Sequence, residues 1–184
     1  MNKLITTIAC LICCIVYTQA QNKDNMLSKK EQSIAAISMY AARGNQDSLK
    51  VILARGLDCG LTVSEEKEVL TQLYAYCGFP RSMGALVTLM NLTKERAAQG
   101  IKDEAGREPS PVKSSDMFVV GGQNQLKLFG RPALGEVLTF APALDQFLKA
   151  HLFGDIFSRD NLDWRTREPV SYTHLRAHET LRHL

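Results

Sequence analysis

Leu61–Leu86 reads LTVSEEKEVLTQLYAYCGFPRSMGAL. Two helices and the boundary between them are legible in it. Thr62 and Glu65 have capping-box spacing, in which a hydroxyl and a carboxylate each satisfy a backbone N–H at a helix start. Val69, Leu70, Leu73, Ala75 and Tyr76 then supply an apolar face, with Glu65, Glu66 and Lys67 on the wet side. Gly78 stops this helix, and Pro80 suits the first turn of the next. That next helix turns Leu86, Leu89 and Met90 inward.

The same grammar extends outward on both sides. Ser28 and Glu31 repeat the capping-box spacing before Ile34, Ile37 and Ala41. Leu49, Ile52, Leu53 and Leu57 fit a further helix, and Gly44, Gly60 and Gly100 stand where left-handed caps would close three of these segments. Turns this short make successive helices antiparallel, so residues 27–100 read as an all-α, antiparallel helical bundle.

That geometry bears on the cysteines. Cys59 and Cys77 close successive helices, the second about 22 Å long. Antiparallel neighbours would hold them at opposite ends, whereas a disulfide needs Cα atoms within about 7 Å. Two unpaired, partly buried thiols are expected.

Beyond Gly100 the pattern is lost. Residues 101–140 read as a connector, partly mobile, polar over IKDEAGREPSPVKSSD and with a short extended piece at Met117–Val120. Order returns at Ala141 in a helix expected to stop near Gly154. Leu162–Glu168, LDWRTRE, then looks like a second opening of the kind seen at Leu27–Glu31, so residues 141–168 read as the start of a second repeat.

The first twenty residues, MNKLITTIACLICCIVYTQA, place one lysine before an apolar run and end on a small-x-small site. This is the pattern of a secretory signal peptide cleaved after Ala20, with a lipoprotein signal at Cys10 as the alternative. The run is short for a transmembrane helix. Cys10 and Cys13 then lie in a discarded segment rather than in a redox motif. The expected location is periplasmic or secreted, with no stable membrane anchor after cleavage. The formal net charge of +3 is spread without a basic stripe, so nucleic acid is not an expected partner.

The Leu61–Leu86 segment resembles the carboxymuconolactone decarboxylase family, and so do LSKKEQSIAAISMYAARGNQDSLKVILARGLDCG before it and APALDQFLKAHLFGDIFSRDNLDWRTRE after it. The combination is similar to an exported, two-repeat branch found in Gram-negative bacteria. The resemblance implies an all-α bundle that assembles as a trimer or hexamer. It also implies either cofactor-free decarboxylation of a small carboxylated lactone or related acid, or peroxide reduction as in alkylhydroperoxidase D-type relatives. A third option is a binding or assembly module without chemistry. The peroxidase relatives carry C-x-x-C and a following histidine on one helix. Here Asn45, Ser48 and Ile52 fall at those positions, so this stretch cannot run a thiol relay.

The end of the chain, Pro169–Leu184, departs from the resemblance. Pro169 is unsuited to the interior of the helix that Arg167-Glu168 should begin. SYTHLRAHET resembles translated adapter sequence, so residues 169–184 read as a non-native tail that truncates the second repeat. His174 and His178 are four apart and could share a helix face, but His178 and His183 would diverge by about 140°. No metal site is expected there, and no cofactor is implied.

Five residues remain as candidates. Arg81, at a helix start, could bind a substrate carboxylate, and Tyr76 could line the same site. Glu168 would be a proton donor if partly buried, with Glu31 as its first-repeat counterpart. His151 is the remaining candidate as a proton carrier.

Overall fold

The computed structural model describes residues 27–114, 116–131 and 135–179, with side chains described as far as Ser171. The predicted signal segment 1–20 and His183 lie outside these residues, and so do the side chains of His174 and His178. Among the described residues all regular structure is helical, with no strand.

Helices α1 (Lys29–Arg43), α2 (Gln46–Asp58), α3 (Val63–Cys77) and α4 (Phe79–Ala98) follow the expected boundaries. Their ends are fixed by the residues that announced them. Ser28 Oγ accepts from Glu31 N at 3.2 Å while Glu31 Oε2 accepts from Ser28 N at 2.7 Å. Thr62 and Glu65 make the same reciprocal pair at 3.1 and 2.7 Å. Gly44 closes α1 at φ 71°, where a side chain would be strained. Ile34, Ile37, Leu49, Leu53, Val69, Leu70, Leu73 and Ala85 form the fully buried centre of the bundle.

The last helix, α8 (Trp164–Glu179), packs against α1 and α3 and completes this core with Leu162 and Val170. Asp163 begins it, accepting from Thr166 N at 2.9 Å. Pro169 lies inside α8, contrary to expectation. A proline there removes one ladder bond, and burial of Val170 in the next position offsets the loss.

The stretch 101–140 is more ordered than its composition implies. Residues 104–107 strap the start of α3: Glu104 O and Ala105 O accept from Val63 N and Ser64 N, each at 2.9 Å, and Arg107 O accepts from Ser64 Oγ at 2.6 Å. These carbonyls satisfy first-turn N–H and hydroxyl donors. Met117–Val120 is not extended. It opens helix α5 (Met117–Phe129), capped by Asp116. The misreading came from Gly121-Gly122, which look like a break, although Gly121 serves packing and only Gly122 faces open space. A β-carbon on Gly121 would stand 1.8 Å from Lys149 O, and one on Gly154 would stand 2.4 Å from Met117 O.

The partner that presses on Gly121, and that itself contains Gly154, is a π-helix, π1 (Phe147–Ile156), reached through short helices α6 (Glu136–Phe140) and α7 (Pro142–Gln146). Its wider turn is seen in the Phe157 N to Leu152 O bond at 3.0 Å, five residues apart. It therefore runs through Gly154 instead of ending there. A second, smaller cluster of Phe153, Ile156 and Phe157 belongs to this α5–π1 pair.

Three smaller expectations are corrected. Glu66 is fully buried, because α3 is covered on several sides and has no wholly wet face near its start. Ala75 and Met90 are exposed, each just off the buried stripe of its helix. Cys59 and Cys77 are both free thiols as expected, but Cys59 is exposed and only Cys77 is half-buried. Among the described residues no helix is long and apolar enough to cross a membrane.

Candidate functional site

A cavity of about 830 Å3 opens where α1, α3 and α8 meet the α5–π1 pair. Each contributing side chain arrives by a local rule. Glu31 comes from the first turn of α1, held by its capping bonds. Tyr76 comes from the last turn of α3, on the edge of its apolar face. Arg165, Glu168 and Ser171 are spaced three apart on α8 and so share one face. Leu128 and Phe129 come from the end of α5, and Phe153 and Phe157 from π1.

The polar groups form pairs. Arg165 Nε lies 3.5 Å from Glu31 Oε1. Tyr76 Oη and Ser171 Oγ are 2.7 Å apart. The Ser28 hydroxyl and N–H, aided by Arg165, hold the Glu31 carboxyl below the usual glutamate range, so it is ionised at neutral pH. Glu168 is exposed, so the partial burial expected of it as a proton donor is not found, and it makes no ion pair with the described residues. Glu31 and Arg165 also line a neighbouring polar cleft with Asp160, Asp163 and Thr166, so their pair divides the apolar cavity from a wet one.

Behind the cavity lies a buried polar network. Arg167, with no exposed surface, donates from Nη2 to Glu68 Oε1 at 2.9 Å and from Nη1 to Gln72 Oε1 at 3.0 Å. Its Nε and Nη2 also reach the Leu162 and Arg159 carbonyls. Arg159 clamps Glu68 from the other side at 2.8 Å. Gln72 Nε2 donates to Arg167 O and, more weakly, toward Ser171 Oγ and Tyr76 Oη, each at 3.4 Å. Burial pulls Arg167 below the usual arginine range, while Glu68 opposes the shift. This network fixes the pitch of α8 and hence the position of Glu168.

The structure thus brings together three of the five sequence candidates, Glu31, Tyr76 and Glu168. Arg81 is elsewhere. It is exposed, and a β-carbon on Gly44 would stand 1.3 Å from its Nη1. Its guanidinium therefore covers the carboxyl end of α1, where the helix dipole favours a cation. His151 points away along π1, pairing with Asp155 at 2.7 Å and packing on Tyr74. Neither lines the cavity. The caps also set a register that sequence alone did not show. Glu31 is the third residue of α1, whereas the third residue of α8 is Thr166, with Glu168 two positions beyond it.

Sequence reasoning missed Arg165, Ser171 and the aromatic wall. Arg165 had a signal in its place beside Arg167-Glu168. The wall had none, because it depends on the π1 turn and on glycine packing. Among the described residues no three His, Cys, Asp or Glu side chains converge as a metal site would require.

An all-α bundle with an acid-lined cavity between its first and last helices is the class this geometry defines. Residues 16–89 match the carboxymuconolactone decarboxylase family model, so this part of the chain is similar to that family. The match includes Glu31 and Tyr76 and ends within α4, before the α5, π1 and α8 walls. A search of curated proteins gives no match.

Proposed function

We propose that the protein is an acid–base catalyst of the carboxymuconolactone decarboxylase type, acting without a cofactor on a carboxylated lactone or related acid in the Glu31–Tyr76–Glu168 cavity. The observation that carries this reading is Glu168, a carboxyl with no ion pair among the described residues, on the same cavity as Arg165. Arg165 would hold the substrate carboxylate. As the carbon–carbon bond to that carboxylate breaks, carbon dioxide leaves and its bonding electron pair passes into the adjacent lactone carbonyl system. The carbon then takes a proton from Glu168, and solvent reprotonates Glu168. The Tyr76 hydroxyl would hydrogen-bond the oxygen on which charge builds.

The peroxide-reductase alternative draws less support. Neither Cys59 nor Cys77 lines the cavity, and burial pushes the Cys77 thiol above its ordinary range, away from thiolate. Two further expectations belong to the same reading: export through segment 1–20, and a homo-oligomer. For the oligomer, the exposed stripe Phe79, Met83, Val87 and Met90 on α4 is the apolar face available for a second copy.

The test is carbon dioxide release by the full chain and by Glu168→Gln from an unsaturated γ-lactone whose carboxylate stands on a carbon conjugated with the ring carbonyl. A loss of about 100-fold or more is expected from removing a general acid. Equal rates in the two proteins would refute the reading. Binding without turnover in both would leave the domain as a binding module.

A further inference from the structure

The cavity has two unlike walls. Glu31, Arg165 and Glu168 form a charged wall on α1 and α8, and Phe129, Phe153 and Phe157 form an aromatic wall on α5 and π1. The aromatic wall is pre-assembled. Phe153 and Phe157 rings are 5.0 Å apart, and Phe129 meets Phe153 edge-on at 5.7 Å. Phe129 nevertheless remains 53% exposed at a helix end, which leaves apolar surface facing the cavity with nothing over it among the described residues.

Size adds to this. Ligand cavities of roughly 300–1,000 Å3 hold drug-sized molecules, and about 830 Å3 lies in the upper part of that range. A single lactone ring with a carboxylate would reach Arg165 and leave the exposed Phe129 ring, which caps the buried Phe153 and Phe157, in water. The site is therefore built for more than the smallest acid its chemistry could use.

We propose that the ligand is a two-part acid: a carboxylate head at Arg165 beside Glu168, and a body of at least two rings against Phe129, Phe153 and Phe157. This rests on the acid–base reading of the same cavity for the head, and on the aromatic wall alone for the body. Stacked and edge-on ring contacts would then align the head with the charged wall, so the body sets specificity and the head undergoes chemistry.

Calorimetric titration of the full chain with three matched probes tests it: 2-naphthylacetate, 2-naphthylethanol and single-ring 5-oxotetrahydrofuran-3-carboxylate. The naphthyl acid should bind at least ten-fold more tightly than the single-ring acid. Phe129→Ala, at a half-exposed position, should weaken both naphthyl probes at least five-fold and leave the single-ring acid unchanged, with Phe129→Leu intermediate. Arg165→Gln should weaken the naphthyl acid but not the alcohol. Equal affinity for both acids, no naphthyl binding, or indifference to Phe129→Ala would overturn the proposal. Loss of lactone turnover in Glu168→Gln without naphthyl binding would sink the two-part ligand alone. Naphthyl binding with no turnover of a γ-lactone whose carboxylate stands on a carbon conjugated with the ring carbonyl would sink the acid–base reading alone.

Discussion

Glu66 and Glu68 stand two residues apart on α3, and both are buried, yet the two sides of the helix treat them in opposite ways. On the α8 side Glu68 is held between Arg167 and Arg159, at 2.9 and 2.8 Å. On the α2 side Glu66 presses against Gly56, where a β-carbon would stand 2.3 Å from its Oε1, and neither of its oxygens has a hydrogen-bond partner. A carboxyl in such a place stays neutral. Burial, reinforced by Asp103 and opposed by Arg96, pushes Glu66 up to about 9. One side of α3 has thus spent its charge on fixing α8 beside the cavity. The other carries an acid that contributes only volume.

The largest consequence follows from breaking the paired side. Glu68→Ala strands Arg167 as an uncompensated buried cation, and a loss of about 3–5 kcal/mol is expected from urea unfolding. Glu66→Met, which replaces a neutral carboxyl by an apolar chain of similar length, should be neutral or stabilising at pH 8. If the two variants lost equal stability, the contrast between the two sides of α3 would be wrong.

pH sharpens the same contrast. Glu66 has its folded value raised from 4.5 to about 9. Below pH 4.5 both folded and unfolded chains hold the proton, so the fold pays nothing. As pH rises from there, the unfolded chain ionises first. Stability then falls by up to about 1.4 kcal/mol per pH unit from this group until the folded carboxyl also ionises. The melting temperature should therefore drop between pH 5 and pH 8.5, and Glu66→Met should flatten that slope. A wild-type slope that survives the substitution would remove Glu66 as its source.

How much of this was legible follows from how local each feature is. The capping boxes at Ser28 and Thr62, and the left-handed stop at Gly44, depend on residues within one turn, so spacing reveals them. The burial of Glu66 depends on α2 placing a glycine, Gly56, opposite it, which spacing within α3 cannot show. Helix α5 was hidden because Gly121 breaks helices on average. Here it is required by the close approach of Lys149 O. In the cavity, Glu31, Tyr76 and Glu168 were legible by type and position, whereas Arg81 was misplaced. A helix start favours anions in general, but Arg81 meets the carboxyl end of α1 first. The aromatic wall requires the π1 turn, and periodicity at 3.6 residues gives no sign of it.

The smallest expected effect tests whether Glu68 needs both of its arginines. Arg159 has a side chain 36% exposed, while that of Arg167 has none. Solvent screens the outer pair and leaves the inner one in a low-dielectric setting. Arg159→Ala should therefore cost no more than about 1 kcal/mol, because Arg167 and its bond to the Arg159 carbonyl remain. In a double-mutant cycle with Glu68→Ala, the coupling to Arg159 should be a small fraction of the coupling to Arg167. Comparable couplings would mean that the outer arginine shares in neutralising Glu68, and that α8 is held by the triad as a unit rather than by the buried pair.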